Sequence, residues 1–147
     1  MSSFAAKRKT FQNLSPRVKK LLVKALFISA GVKFTLVFLP FKKVLGWLGK
    51  VGVETRTDPD PISLQLRKDI KTAICLCDKY SFWKTECYTR ALTCRILLKE
   101  NNIPSTIYIG FYRYAGHYKG HAWLRSYDMI ITGEEDINKF NWRYFYT

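Results

Sequence analysis

The hydrophobic period changes once along this chain, at Asn101-Asn102-Ile103-Pro104, and that change restricts the fold more than any other feature. Before it, Leu66, Ile70, Ala73, Cys77 and Tyr80 recur at helical spacing, and Cys87, Ala91, Cys94 and Leu98 share one helical face. After it the apolar side chains alternate, with Ile107, Ile109 and Phe111 on one side of an extended segment and Tyr108 and Tyr112 on the other. The boundary has a backbone cause, because asparagine tolerates the left-handed stop of a helix and Pro104 cannot continue one. Further strands are expected from about Gly120 to Leu124 and from Met129 to Thr132, with an edge strand over Trp142 to Tyr146. Helices first and antiparallel strands afterwards predict an α+β domain.

With 147 residues and 48% hydrophobic content the chain can fill one core, not comfortably two. The division expected is a basic tail and amphipathic helical segment over residues 1–57, then a globular domain over residues 58–147. Met1 to Thr10 is polar and basic and reads as disordered. The apolar run Leu21 to Phe41 is interrupted by Lys24 and Lys33 and closed by Pro40. A lysine at a bilayer centre costs about 2.5–3.5 kcal/mol, which argues against a spanning helix, and the long basic region argues against a secretory signal. One or two amphipathic helices remain, packed on the core or resting on a membrane surface. Arg56 to Pro61 reads as the linker, with Asp60 and Pro61 as N-cap and first helical residue of the next helix.

Twenty-five Lys and Arg against 11 Asp and Glu give a formal charge of +14. Such a field acts over about a Debye length, ~8 Å, and suits nucleic acid, acidic lipid or an acidic peptide equally. A non-enzymatic basic adaptor binding through Lys7, Arg8, Lys19, Lys20, Lys42 and Lys43 is therefore one reading. Aromatic content of 16% would permit base stacking, but no nucleic-acid motif accompanies it, and no nucleic-acid partner is assigned. The four cysteines cluster in two consecutive helices and read as reduced thiols. Cys75-Leu76-Cys77 has the wrong spacing for a zinc knuckle, so neither metal nor cofactor is expected, and Cys77 and Cys94 read as core-filling residues.

Cys87 is different in position. Thr85 offers an N-cap, which puts Cys87 in the first turn of a helix, where unpaired N–H groups and the helix dipole favour a thiolate. Downstream, Gly120-His121-Ala122-Trp123 carries an imidazole on a strand. A thiol at a helix start and an imidazole on a strand are the two halves of a thiolate active site. Spacing alone leaves the plainer alternatives open: Cys87 as a small buried hydrophobe and His121 as a satisfied half-buried residue. His117, in the segment Ala115 to Gly120, reads as an exposed loop residue.

The group that orients the His121 ring has three candidates, and Glu134 is preferred over Asp128. If Tyr127-Asp128 is the centre of a two-residue hairpin turn, His121 faces Glu134 across the ladder. Asp128 would sit at the hairpin tip, roughly 20 Å from His121 at ~3.3 Å per residue. A one-residue slip would turn Glu134 to the opposite face, and a backbone carbonyl could orient the ring instead.

Glu86-Cys87-Tyr88-Thr89-Arg90-Ala91-Leu92, then Leu97-Leu98 with Asn102-Ile103, then Tyr108-Ile109-Gly110-Phe111 and Gly120-His121-Ala122-Trp123-Leu124-Arg125 together resemble the lasso-peptide biosynthesis B2 family. These are transglutaminase-like cysteine peptidases, related to the C-terminal part of the microcin-J25-type processing protein. The likeness covers about the second half of the chain. Leu39-Pro40-Phe41 is similar to an element that precedes the peptidase core in that family.

The resemblance implies an α+β, transglutaminase-like (papain-like) core with N-terminal amphipathic helices. Cys87 would be the nucleophile and His121 the base, with an aspartate about a dozen residues later, where this chain has Gly133. The implied reaction is removal of the leader from a ribosomally made precursor peptide. The implied partners are that precursor, a separate leader-recognition protein of the B1 type and a lasso cyclase similar to asparagine synthetase. No winged-helix-like segment precedes Phe11, which implies a stand-alone peptidase. The expected location is the bacterial cytoplasm, with contact at the inner membrane surface as the alternative to core packing for the N-terminal helices. Acyl transfer to an amine, as in other relatives of the fold, is the competing chemistry.

Overall fold

The computed structural model describes residues 4–135, 137–140 and 142–147. The first element is a helix, α1 (Phe4–Gln12), where composition predicts disorder. The Lys7 ammonium lies over the Tyr80 ring, 5.6 Å from its centroid, and this docking gives a polar helix a reason to form. The first three residues lie outside the described ones.

Ser15 accepts a hydrogen bond from the Val18 N–H and Pro16 takes the first helical position, so α2 (Pro16–Phe38) starts with a full set of N-terminal signals. It runs unbroken for 23 residues, a single helix over the apolar run. Val18, Leu21, Leu22, Ala25 and Ser29 point inward. Pro40 ends it, and a short α3 (Phe41–Gly46) follows.

Helix α4 (Leu64–Tyr80) begins later than Asp60-Pro61 predicts. Asp60 does not cap the helix itself. Its carboxylate accepts the Ser63 hydroxyl and the Ser63 N–H, the latter at 3.1 Å, and so holds the turn that leads in. One turn on, Arg67 is wholly buried. It donates to the carbonyls of Asp60 at 2.8 Å and Ser126 at 2.9 Å and reaches Asp128 at 3.1 Å, tying the start of α4 to a distant strand turn. A buried guanidinium survives only with such partners.

Helix α5 (Cys87–Glu100) likewise starts one residue off the expected cap. Thr85 donates its hydroxyl to Asp78, Glu86 becomes the N-cap, and Cys87 is the first helical residue. Asn102 takes φ 55° after the helix, as its type allows.

Four strands, β1 (Thr106–Tyr114), β2 (His117–Ser126), β3 (Met129–Thr132) and β4 (Trp142–Tyr146), form one sheet in the order β3-β2-β1-β4, antiparallel throughout. The β1–β2 hairpin turns on Ala115 (φ 49°) and Gly116 (φ 82°), a left-handed pair that matches strand twist. This tight turn places His117 in β2, paired with Tyr114, and not in a loop. Ile107, Ile109, Ala122, Leu124 and Ile131 face the helices and share one core with Leu21, Leu22, Ile70, Leu97 and Leu98. Helices from before residue 58 thus pack into the same core as those after it. The opposite face carries Tyr108, Trp123 and Phe140.

Candidate active site

The β2–β3 ladder begins in the expected register, Ser126 opposite Met129 and Arg125 opposite Ile130, around a Tyr127-Asp128 turn in which Tyr127 has φ 51°. A bulge between Leu124 and Arg125 then shifts the register by one, so Leu124 faces Thr132. Strand β3 stops there. Gly133, at φ 79°, turns the chain back against β2. An added Cβ on Gly133 would lie 2.4 Å from the Ala122 carbonyl oxygen, so only glycine permits this approach.

The approach serves His121. Its Nε2 bonds the Gly133 carbonyl at 2.9 Å, and because a carbonyl can only accept, Nε2 carries the proton there. Nδ1 is left for the sulfur. The ring stacks on Phe140 at 5.4 Å and on Trp123 at 5.9 Å between centroids. Opposite His121 in the ladder is Gly110, whose missing side chain leaves room for Phe140; a Cβ there would be 2.8 Å from that ring. Glycine in the Tyr-Ile-Gly-Phe segment therefore has a packing cause.

The structure brings Cys87 and His121 together. Burial alone would raise the Cys87 thiol, but the His121 side chain, the Ala122 backbone N–H, the His121 charge and the Tyr88 N–H outweigh it, and the thiol is held below its ordinary value. His121 moves the other way. Its hydrogen bond to Cys87 raises it, against desolvation, with help from the Gly133 carbonyl and the Cys87 and Glu135 charges. Both shifts favour a thiolate beside an imidazolium. Beside them Tyr88 is pushed up to about 12 by burial and the Cys87 charge, and Gly120 makes room for its hydroxyl, which a Cβ there would meet at 2.7 Å. His121 opens on a cleft of about 310 Å³ walled by Arg90, Tyr112, Lys119, Glu135 and Phe140.

The carboxylates expected to orient the ring are engaged elsewhere. Glu134 pairs with Lys71 of α4 at 3.1 Å, and its side chain is 68% exposed. Asp128 sits at the turn and pairs with Arg67. The bulge is the physical reason for the first: a one-residue shift turns Glu134 outward and presents the Gly133 carbonyl to His121. Glu135, not singled out by sequence reasoning, lines the cleft instead. Its only sequence signal was adjacency to Glu134.

The remaining candidates separate by burial. Cys94 is fully buried and Cys77 nearly so, and desolvation raises both thiols. Cys75 is exposed on α4. His117 is exposed at the far end of the β1–β2 hairpin. No group of three or more His, Cys, Asp and Glu side chains that could hold a metal ion occurs among the described residues.

A family model, the Transglutaminase-like superfamily, matches residues 35–142, from the last turn of α2 to the first residue of β4. Comparison with curated proteins and with solved structures gives no match. Domains of this superfamily are typically Cys-His-Asp enzymes, with activity of the cysteine peptidase or acyltransferase type. The matched span holds both Cys87 and His121 in an α+β fold, with a backbone carbonyl where the acid is typical. With nearly three quarters of its length matched, the chain belongs to the transglutaminase-like superfamily.

Proposed function

We propose that the protein is the leader peptidase of a lasso-peptide pathway, cutting a ribosomally made precursor where its leader meets its core. The observation that carries this reading is the convergence of Cys87 and His121, with opposed pKa shifts, beside an open cleft that His121 lines. The segments that resemble the B2 peptidases, Glu86 to Leu92 and Gly120 to Arg125, are the two that meet there.

In the reaction, the Cys87 thiolate attacks the scissile carbonyl carbon, and the C–O double bond opens to an oxyanion. N–H groups at the start of α5 would stabilise that charge. The tetrahedral species collapses with cleavage of the C–N bond, and His121 gives its proton to the departing amine, which becomes the N-terminus of the core peptide. A thioester remains on Cys87. His121, now neutral, takes a proton from water as the water attacks, and the leader leaves as a carboxylate. The Gly133 carbonyl keeps the ring in one tautomer throughout. A leader-recognition protein from another chain would present the precursor, and a cyclase would consume the new amine.

The test is incubation of the full chain with its precursor and leader-recognition partner, read by mass spectrometry. Cys87→Ala and His121→Ala are expected to abolish cleavage, and Cys94→Ala to retain it. Cleavage by Cys87→Ala would end this reading. Superfamily membership equally suits acyl transfer, for which the product would be an amide to an added amine in place of a new carboxylate.

A further inference from the structure

Helix α2 has two apolar faces, and the core uses one. Val23, Phe27, Phe34, Val37 and Phe38 repeat at helical steps on the side opposite Leu21, Leu22 and Ala25. Phe27, Phe34, Val37 and Phe38 are 64–77% exposed, as is Trp47 just past α3. Phe34 and Phe38 touch each other, with ring centroids 4.4 Å apart, and form a continuous convex ridge. Beside the ridge an apolar groove of about 430 Å³ runs between α2, α3 and α5, with Trp47 in its wall. A soluble surface of this kind marks an interaction site.

Charge identifies the partner. The first 53 residues contain 11 Lys and Arg and no Asp or Glu; every acidic residue of the chain lies from Glu54 onward. Lys20, Lys42 and Lys43 are exposed on α2 and α3 and make no ion pair among the described residues. Phenylalanine on a ridge, tryptophan at its margin and lysines around it match the layers of a lipid interface: acyl chains, carbonyl belt and anionic head groups. The helix is long and apolar enough to cross a bilayer. Its inner face, however, packs on α4 and α5 in the domain core, so it can lie on a membrane with this fold intact but not span one.

We infer that the outer ridge of α2, with Trp47 and the lysines of α2 and α3, seats the protein on the surface of an anionic lipid bilayer. The seat lies beside the candidate site. Lys33 of α2 reaches Glu86 at 3.3 Å, one residue before Cys87, and Phe41 of α3 meets the Tyr88 ring edge-on at 4.8 Å. A chain held on lipid by this ridge keeps its cleft close to the membrane plane. The inference rests on the surface alone and stands whether the cleft hydrolyses or transfers.

The experiment is co-flotation of the full chain with phosphatidylcholine vesicles, with and without phosphatidylglycerol. Binding is expected only with phosphatidylglycerol and is expected to weaken as salt rises. The triple substitution Phe27→Ser, Phe34→Ser and Phe38→Ser is expected to weaken it by roughly a hundredfold, with the helical circular dichroism unchanged. Because these side chains are exposed, the variant has no core contact to lose. Lys42→Glu with Lys43→Glu is expected to weaken it by roughly tenfold or more. Equal binding to both vesicles, or no binding to either, overturns the inference. So does a wild-type dimer in solution that the phenylalanine substitutions dissociate, since a second copy would then cover the ridge.

Discussion

Replacing Gly133 by alanine tests how His121 is held. Two glycines with nearly the same backbone make the experiment self-controlled: Gly133 has φ 79° and Gly116 has φ 82°. Either Gly→Ala change puts an L side chain in the left-handed region, at a cost of about 1–2 kcal/mol. Around Gly116 the new Cβ meets nothing within 4 Å, so that is its whole effect. At Gly133 it lands 2.4 Å from the Ala122 carbonyl oxygen and 2.7 Å from Trp123 Cβ. Both belong to a central strand that cannot swing away. Relief to even 3.0 Å needs a backbone displacement of roughly 0.6 Å, and overpacking of this kind costs a further 1–3 kcal/mol or so. Gly133→Ala is therefore expected to lower stability by about 2–5 kcal/mol and Tm by roughly 10 °C, against a few degrees for Gly116→Ala. The same displacement stretches the 2.9 Å bond from His121 to the Gly133 carbonyl. Losing the hydrogen bond that orients His121 weakens its support of the thiolate, so alkylation of Cys87 by iodoacetamide at neutral pH should slow in Gly133→Ala alone. Thermal denaturation by circular dichroism and peptide mass spectrometry give both readouts. Indistinguishable Tm values and alkylation rates for the two variants would refute the reasoning.

Glu134→Gln removes an exposed pair with Lys71 and is expected to change stability by less than about 1 kcal/mol and Cys87 alkylation by no more than about twofold; a large loss of reactivity would restore Glu134 as the orienting acid. Arg67→Met strands the buried carbonyl of Ser126 and the partly buried carbonyl of Asp60 and should destabilise by about 2–5 kcal/mol in urea unfolding, whereas Asp128→Asn, at a partly exposed partner, should lose less than about 1. Cleavage should follow a bell in pH. Its acid limb marks protonation of a sulfur held below its ordinary value, and its alkaline limb marks loss of the proton from a ring held above its own. A profile that keeps rising with pH would contradict an active imidazolium.

What the sequence made legible followed from local rules. Apolar period located α4, α5 and the strands, Asn102 and Pro104 ended α5, and the Tyr127-Asp128 turn set the first ladder pairs. Cys87 and His121, which the structure brings together, stood out in the sequence because helix starts and strand histidines have recognisable chemistry. Which of the three candidates orients the ring was not readable: the preferred Glu134 faces away, and the backbone carbonyl holds the ring. That choice depends on a bulge at Leu124/Arg125, a tertiary adjustment that swaps a carboxylate for a carbonyl by moving one residue. Caps at Asp60 and Thr85 were misplaced for a related reason. Each side chain found a better partner nearby, Ser63 and Asp78, than the helix N–H groups that propensity assigns to it. The tail gained a helix because Tyr80, far along the chain, gave Lys7 a surface to dock on.

The central claim is that His121 holds the Cys87 sulfur in its reactive form. The measurement is the pH dependence of Cys87 alkylation in the intact protein and in His121→Ala, resolved by peptide mass spectrometry with exposed Cys75 followed in the same digest. Cys87 is expected to react at pH values below those an ordinary thiol requires, and its profile is expected to move to higher pH when His121 is removed. Superimposable Cys87 profiles in the two proteins would contradict the account.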